Sequence, residues 1–143
     1  MSVTQAIHQF WTLHGQLSAL VPPDRFYTGL PPIRQADGSP LAFPYVSLTL
    51  GEQTAIERTS SGTVLLSERI RFTAYSRSYD EARRIAAAIT ASFNRRALAW
   101  SGGRVLDMRP DGREETEDAS DGVWRIAIDF QVRIAENNSR VLA

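Results

Sequence analysis

Two histidines and a run of acids are the side chains best equipped to do chemistry. His8 and His14 stand six residues apart in a helical stretch, which separates them by about 240° around the axis. An i, i+4 pair could share a metal; this pair cannot. Each reads as a solvated or half-buried histidine. The acids are Asp111, Glu114, Glu115, Glu117, Asp118 and Asp121, with Arg113 among them. A calcium loop of the EF-hand type needs alternating acids, a central glycine and a terminal glutamate. Asp118, Ser120 and Gly122 do not supply that register. The run reads instead as a polar loop over residues 110–122, facing solvent or a partner. If it lined a pore, its carboxylates would repel nucleic-acid phosphates. There is no GxSxG elbow and no Walker-type glycine loop. With no cysteine there is no disulfide and no thiolate metal site. The expectation is a protein that is not an enzyme and needs no cofactor or metal.

The basic side chains are the second candidate set. All sixteen are arginine, and sixteen acids balance them. A net charge of zero offers no global field to recruit nucleic acid or a membrane. The absence of lysine has two readings: a GC-rich coding genome, or a use for the planar, weakly hydrated guanidinium in interface ion pairs. Arg83-Arg84 and Arg95-Arg96 have Asp80 and Glu81 nearby and read as a solvated helix face. A flatter surface is more informative. On two long strands, Arg69, Arg71 and Tyr75, and Arg125, Asp129 and Arg133, alternate with apolar residues. They fall on the outward face, an ordinary wet face or a subunit or partner interface, where Arg and Tyr are enriched.

The elements that position these residues follow from periodicity. Residues 65–93 switch from period two to period 3.6 across Ser76 and Asp80. Leu66, Ile70, Phe72 and Ala74 share one strand face; Ala82, Ile85, Ala86, Ile89 and Phe93 share one helix face. Ser78 or Asp80 caps the helix. The strand, residues 63–76, is far longer than usual, which predicts a two-stranded ribbon projecting as an arm with its tip near residues 60–62. Residues 3–20 form a first helix with an apolar stripe of Val3, Ile7, Phe10, Trp11, Leu17 and Leu20, weakened at Gly15. Pro22-Pro23 ends it. Residues 23–44 form a proline-rich strap tacked down by Phe26, Tyr27 and Leu30. Residues 43–50 form a strand, and residues 51–62 are a polar stretch that ends in a turn signal at 60–62. Short strand pieces at 98–100 and 104–109 flank Gly102-Gly103, a hairpin turn. The final strand, 123–135, turns Trp124, Ile126, Ile128, Phe130, Val132 and Ile134 inward.

The class is therefore α+β. Two layers are expected, an approximately four-stranded, mainly antiparallel sheet with two helices on one face, in the order α-β-β-α-β-β, with a long β-hairpin arm. Residues 1–136 form one domain and residues 137–143 a flexible tail. No basic n-region with an apolar core opens the chain, and no apolar run could span a bilayer.

The order of parts then resembles a family. A first helix and proline-rich strap lead to FPYVSL (residues 43–48), RIRFTAYSRSYDEARRIAAAI (69–89), LAWSGGRVLDM (98–108) and VWRIAIDFQVR (123–133). This pattern resembles the tail-completion or tail-terminator proteins of tailed bacteriophages, of the lambda tail-terminator type, over residues 10–135. Residues 31–42 look like an extension of it. The resemblance implies a structural part of the virion, assembled in the bacterial host cytoplasm. It implies a homo-oligomeric ring, usually a hexamer, that caps the tail tube, stops its polymerisation and docks the head–tail connector or neck. Viral DNA would pass through the channel without sequence recognition. The arginines would then pair with a neighbouring subunit's acidic residues 111–121. The alternatives are a neck or head–tail joining protein that does not cap the tube, and a small cytoplasmic enzyme or regulator.

Overall fold

The structure, a computed structural model, describes residues 2–29, 31–32, 38–58, 62–118 and 121–137, with backbone alone at Arg58 and Asp118. Helices α1 (Val3–Leu13) and α2 (Gly15–Leu20) precede a 3-10 turn (Pro23–Arg25). Strands β1 (Phe26–Thr28), β2 (Tyr45–Arg58) and β3 (Thr63–Ser76) follow, then α3 (Tyr79–Phe93), β4 (Leu98–Trp100), β5 (Gly103–Asp118) and β6 (Val123–Asn137). The strands form one sheet in the order β1-β2-β3-β6-β5-β4. Only β1 runs parallel to its neighbour. The α+β class holds, but among the described residues the sheet has six strands, not about four, and there are three α-helices, not two.

Each difference has a local cause. The first helix breaks at His14, one residue before Gly15, where the backbone is extended (φ −92°, ψ 105°). Its N–H still closes α1 by donating to the carbonyls of Phe10 (2.9 Å) and Trp11 (3.2 Å). Ser2 starts α1 with a full capping box to Gln5, and Ser78 caps α3 by accepting from the Glu81 N–H. The strap carries β1, three residues whose partners at Val46, Ser47 and Leu48 are distant in sequence. Leu30, Ser60 and Ser61, assigned above to the strap and the ribbon tip, lie outside the described residues.

The projecting arm is replaced by something more compact. β3 is paired over its whole length with β6, from Thr63 opposite Asn137 to Ser76 opposite Trp124. It is also paired with β2, from Tyr75 opposite Tyr45 to Val64 opposite Arg58. Three strands of nearly equal length satisfy one another's backbone groups, so none projects alone. The polar stretch that begins at 51 is strand as far as Arg58, the second half of β2. The acidic loop expected at 110–122 is strand over residues 110–118, the second half of β5, paired with β6 out to Asp118 opposite Val123. Neither stretch alternates in polarity because both of its faces are wet: residues 51–57 and 109–117 are exposed throughout. Asn137, assigned to the tail, belongs to β6; residues 138–143 lie outside the described residues. The β4–β5 hairpin turns through Ser101-Gly102, with Gly102 at φ +99°, a conformation that favours glycine.

One core joins the helices to one face of the sheet. Ile7, Trp11, Leu17, Ile89 and Phe93 are fully buried from above, against Leu48, Ile70, Phe72, Ile126 and Phe130 from below. The opposite face carries the candidate site.

Candidate interaction surface

The register of β3 against β6 builds the wet face. It sets Arg71 opposite Asp129, Tyr75 opposite Arg125, and Ser67 opposite Arg133. Arg71 grips Asp129 with two parallel hydrogen bonds, Nε to Oδ1 (2.7 Å) and a terminal nitrogen to Oδ2 (3.1 Å). Its other terminal nitrogen lies 3.5 Å from Glu114 Oε2. Arg69 donates to Asp111 Oδ2 at 2.6 Å. Asp111 arrives there because β5 bulges between Pro110 and Arg113, and Gly112 takes φ +142° over Asp129. Gln131 donates to the Ser67 hydroxyl between the arginine rows. Arg133 stays exposed.

The two candidate sets of the sequence are therefore partly one. Arg69 and Arg71 hold acids of their own chain, Asp111, Asp129 and Glu114. The acids divide between two faces. Asp111 and Glu114 join the arginine network. Glu115 turns to the helix side, accepting from the Tyr79 hydroxyl (2.9 Å) and Arg113 Nε (3.0 Å). Those bonds, Tyr79 foremost, hold its carboxyl below the usual range. Glu117 is exposed. Asp121 tightens its own turn, Oδ1 accepting from the Val123 N–H (3.0 Å). For Asp118 only the backbone, opposite Val123, is placed.

The hydrogen bonds from Arg71 hold the Asp129 carboxyl below its ordinary value, against partial burial that opposes the shift. A carboxylate with a depressed folded-state pKa stabilises above its unfolded value and loses that contribution as pH falls through the folded one. Asp129→Asn is expected to cost on the order of 1 kcal/mol at neutral pH, because Arg71 is half-exposed and keeps Glu114. Melts taken from neutral to acid pH check this. The variant should converge on the wild type at the acid end, and a constant gap would refute the assignment.

An aromatic patch missed in the sequence continues this face. Tyr45 stacks on Tyr75 with centroids 4.5 Å apart and planes 15° apart. Tyr27 and Phe43 flank Tyr45. The Arg77 guanidinium lies 4.8 Å over Phe43 and that of Arg125 lies 5.9 Å over Tyr75. Burial, then Tyr75, push the Tyr45 phenol above its ordinary value. Tyr75 and Arg125 were legible from alternation, whereas Tyr45, Phe43, Tyr27 and Arg77 needed the β2–β3 register.

The inward face holds one acid that alternation places among apolar residues. Glu68 is 3% exposed, and Gln53 Nε2 donates to its Oε2 at 3.2 Å. Burial raises its pKa, opposed by the Gln53 bond and reinforced by Glu136. A raised carboxyl favours its neutral form in the fold, so stability falls as pH climbs from the unfolded to the folded value. Glu68→Gln keeps the partner and removes the charge. We expect it to melt above the wild type at neutral pH and with it in acid; a lower melting temperature at pH 7 would contradict this.

Among the described residues nothing on the helix side resembles a catalytic centre. An open groove of about 940 Å³ runs past Thr4, Gln5, His8, Gln9, Thr12, Leu13 and Thr28, with His8 its titratable side chain among the described residues. His8 sits edge-on to Phe26, and His14 packs against Phe10. Among the described residues no cluster could hold a metal ion, and no helix is long and apolar enough to cross a membrane.

Comparison with known proteins decides the family. The family described as tail completion protein gp17 matches residues 5–135. This chain belongs to that family. Tail-completion proteins are structural parts of the virion, so this member is a phage-tail structural protein and not an enzyme. A solved chain from the virion of a native gene transfer agent particle superposes with a TM-score of 0.73 at 21% identity, over 94% of this chain and 95% of that one. The likeness shows that the tail-completion fold described here is shared. No curated protein matches the sequence.

Proposed function

We propose that this tail-completion protein is a tail terminator. Its copies close into a ring, taken as a hexamer from the resemblance, that caps the finished tail tube and stops its growth. The ring provides the surface on which the head–tail connector docks, and viral DNA passes through the opening without sequence recognition. Assembly takes place in the host cytoplasm. The observation that carries this reading is the tail-completion match over residues 5–135. The wet face supports it: its charges are largely matched within the subunit, so it offers DNA phosphates little net attraction. A ring also needs one surface patch to bind a different patch of the next copy.

The test is light scattering and negative-stain imaging of the purified protein, alone and with tail tubes of its own phage. Closed rings with an opening wide enough for duplex DNA, or density on free tube ends that halts elongation, support the reading. Binding to the connector but never to tube ends would overturn it in favour of a neck or joining protein.

A further inference from the structure

Glu68 is a buried carboxyl that neither the apolar core nor the wet face accounts for. It stands on the inner face of β3 between Leu66 and Ile70, with Val132 of β6 on one side and Gln53 of β2 on the other. Val132 and, beyond it, Met108 of β5 are fully buried and apolar. Among the described residues its hydrogen-bond partner is Gln53, whose Nε2 donates to Oε2 at 3.2 Å. A bulge puts Gln53 there. Leu50 stands opposite Ile70, so unbroken pairing would set Glu52 opposite Glu68. Gly51 and Glu52 instead share the place opposite Arg69, and Gln53 follows. Gly51 allows the close approach, since a Cβ there would lie 3.2 Å from the Arg69 carbonyl oxygen. The bulge thus gives a buried carboxyl an amide neighbour in place of a second carboxyl.

The strand that carries Gln53 is weakly held at this end. Residues 45–50 of β2 are anchored by the buried Val46, Ser47 and Leu48 and by β1 on their far side. Residues 51–57 are exposed throughout, and among the described residues β3 is their one strand partner. A stretch with so little apolar burial opens at low cost while the rest stays folded. Its opening takes Gln53 away and lets water reach Glu68. We infer that Glu68 is a proton-operated latch on this stretch: protonated, it holds residues 51–57 against β3; ionised, it favours their release.

The groups around Glu68 set the sign. Burial favours the neutral acid, the Gln53 amide opposes it by favouring the carboxylate, and Glu136 on the inner face of β6 adds a like charge. The bulge leaves Glu52 exposed, and Arg69 lies on the opposite face of β3, bound to Asp111. When residues 51–57 open, the carboxyl returns toward its ordinary value. The closed form is therefore fully stabilised below that ordinary value and loses this contribution as pH rises through the raised one. Asp129 and Glu115, both held below the usual range, keep Arg71 and Tyr79 when β2 opens, so they do not mask the effect.

Hydrogen exchange, read by residue from mildly acid to neutral pH and corrected for intrinsic rates, tests the latch. Amides of residues 52–57 should be less protected than those of 46–48 and respond only weakly to urea, which marks a partial opening. Their protection should fall as pH rises, by about tenfold for each unit by which the fold raises the Glu68 pKa. In Glu68→Gln protection should stay high and flat. Gln53→Met, which deletes the donor, should make the fall larger. Equal protection along β2 overturns the latch, because no separate opening then exists. A flat profile in the wild type, or an undiminished fall in Glu68→Gln, overturns the assignment to Glu68. Should Glu68→Gln fail to fold, carbon NMR titration of the wild-type Glu68 carboxyl decides: a midpoint at or below the ordinary carboxylate value overturns the inference, and a raised one supports it.

Discussion

Replacing Trp11 with Ala is expected to destabilise the protein by about 3–5 kcal/mol, the range for removing a buried aromatic. Trp11 is fully buried. Its ring meets Phe26 edge-on at 4.4 Å and lies 6.4 Å from Phe93. Its Nε1–H donates to the Val21 carbonyl at 2.9 Å. One side chain thus ties α1 to the end of α2, to β1 and to α3. The melting temperature should fall by roughly 10 °C or more, at the few degrees per kcal/mol usual for a chain of this length. Trp11→Phe restores most of the ring and leaves the carbonyl without its donor, so it should cost about 1–3 kcal/mol. Urea unfolding of the three proteins checks the order. If Trp11→Ala cost no more than Trp11→Phe, the hydrogen bond would outweigh the packing and the account would be wrong.

Phe93→Ala is the second large effect, again about 3–5 kcal/mol. Phe93 is fully buried at the last turn of α3. It contacts Phe10 at 5.1 Å, Phe72 at 4.9 Å and Phe130 at 6.4 Å, besides Trp11. It is the point where both helical segments meet the two central strands. The two losses should not add. Trp11 and Phe93 line one space, so a cavity opened by one truncation is partly shared by the other, and contacting residues couple by roughly 0.5–3 kcal/mol. The double variant should cost less than the sum of the singles. Simple additivity would mean that the two rings hold separate parts of the core. Because natural domains are stable by only about 5–15 kcal/mol, the double variant should sit at the margin of folding. It should fail to assemble for that reason.

The sequence by itself determined the parts whose side chains report their own surroundings. β3, Thr63–Ser76, has the predicted bounds because one face is buried and one is wet, which writes period two into the residues. Ala82, Ile85, Ala86, Ile89 and Phe93 form the buried stripe of α3 as the spacing required. The outward placement of Arg69, Arg71, Tyr75, Arg125, Asp129 and Arg133 followed from the same alternation. Only the tertiary structure decided the rest. Residues 51–57 and 110–117 are strand because β3 and β6 offer them backbone partners, and backbone pairing leaves no mark on the side chains of a stretch wet on both faces. β1 exists because a distant strand lies beside it. Which arginine meets which acid depends on register and on the bulge at Gly112, and one step of slippage would dissolve every pair. Alternation places a side chain on a face; the partner strand decides what stands next to it.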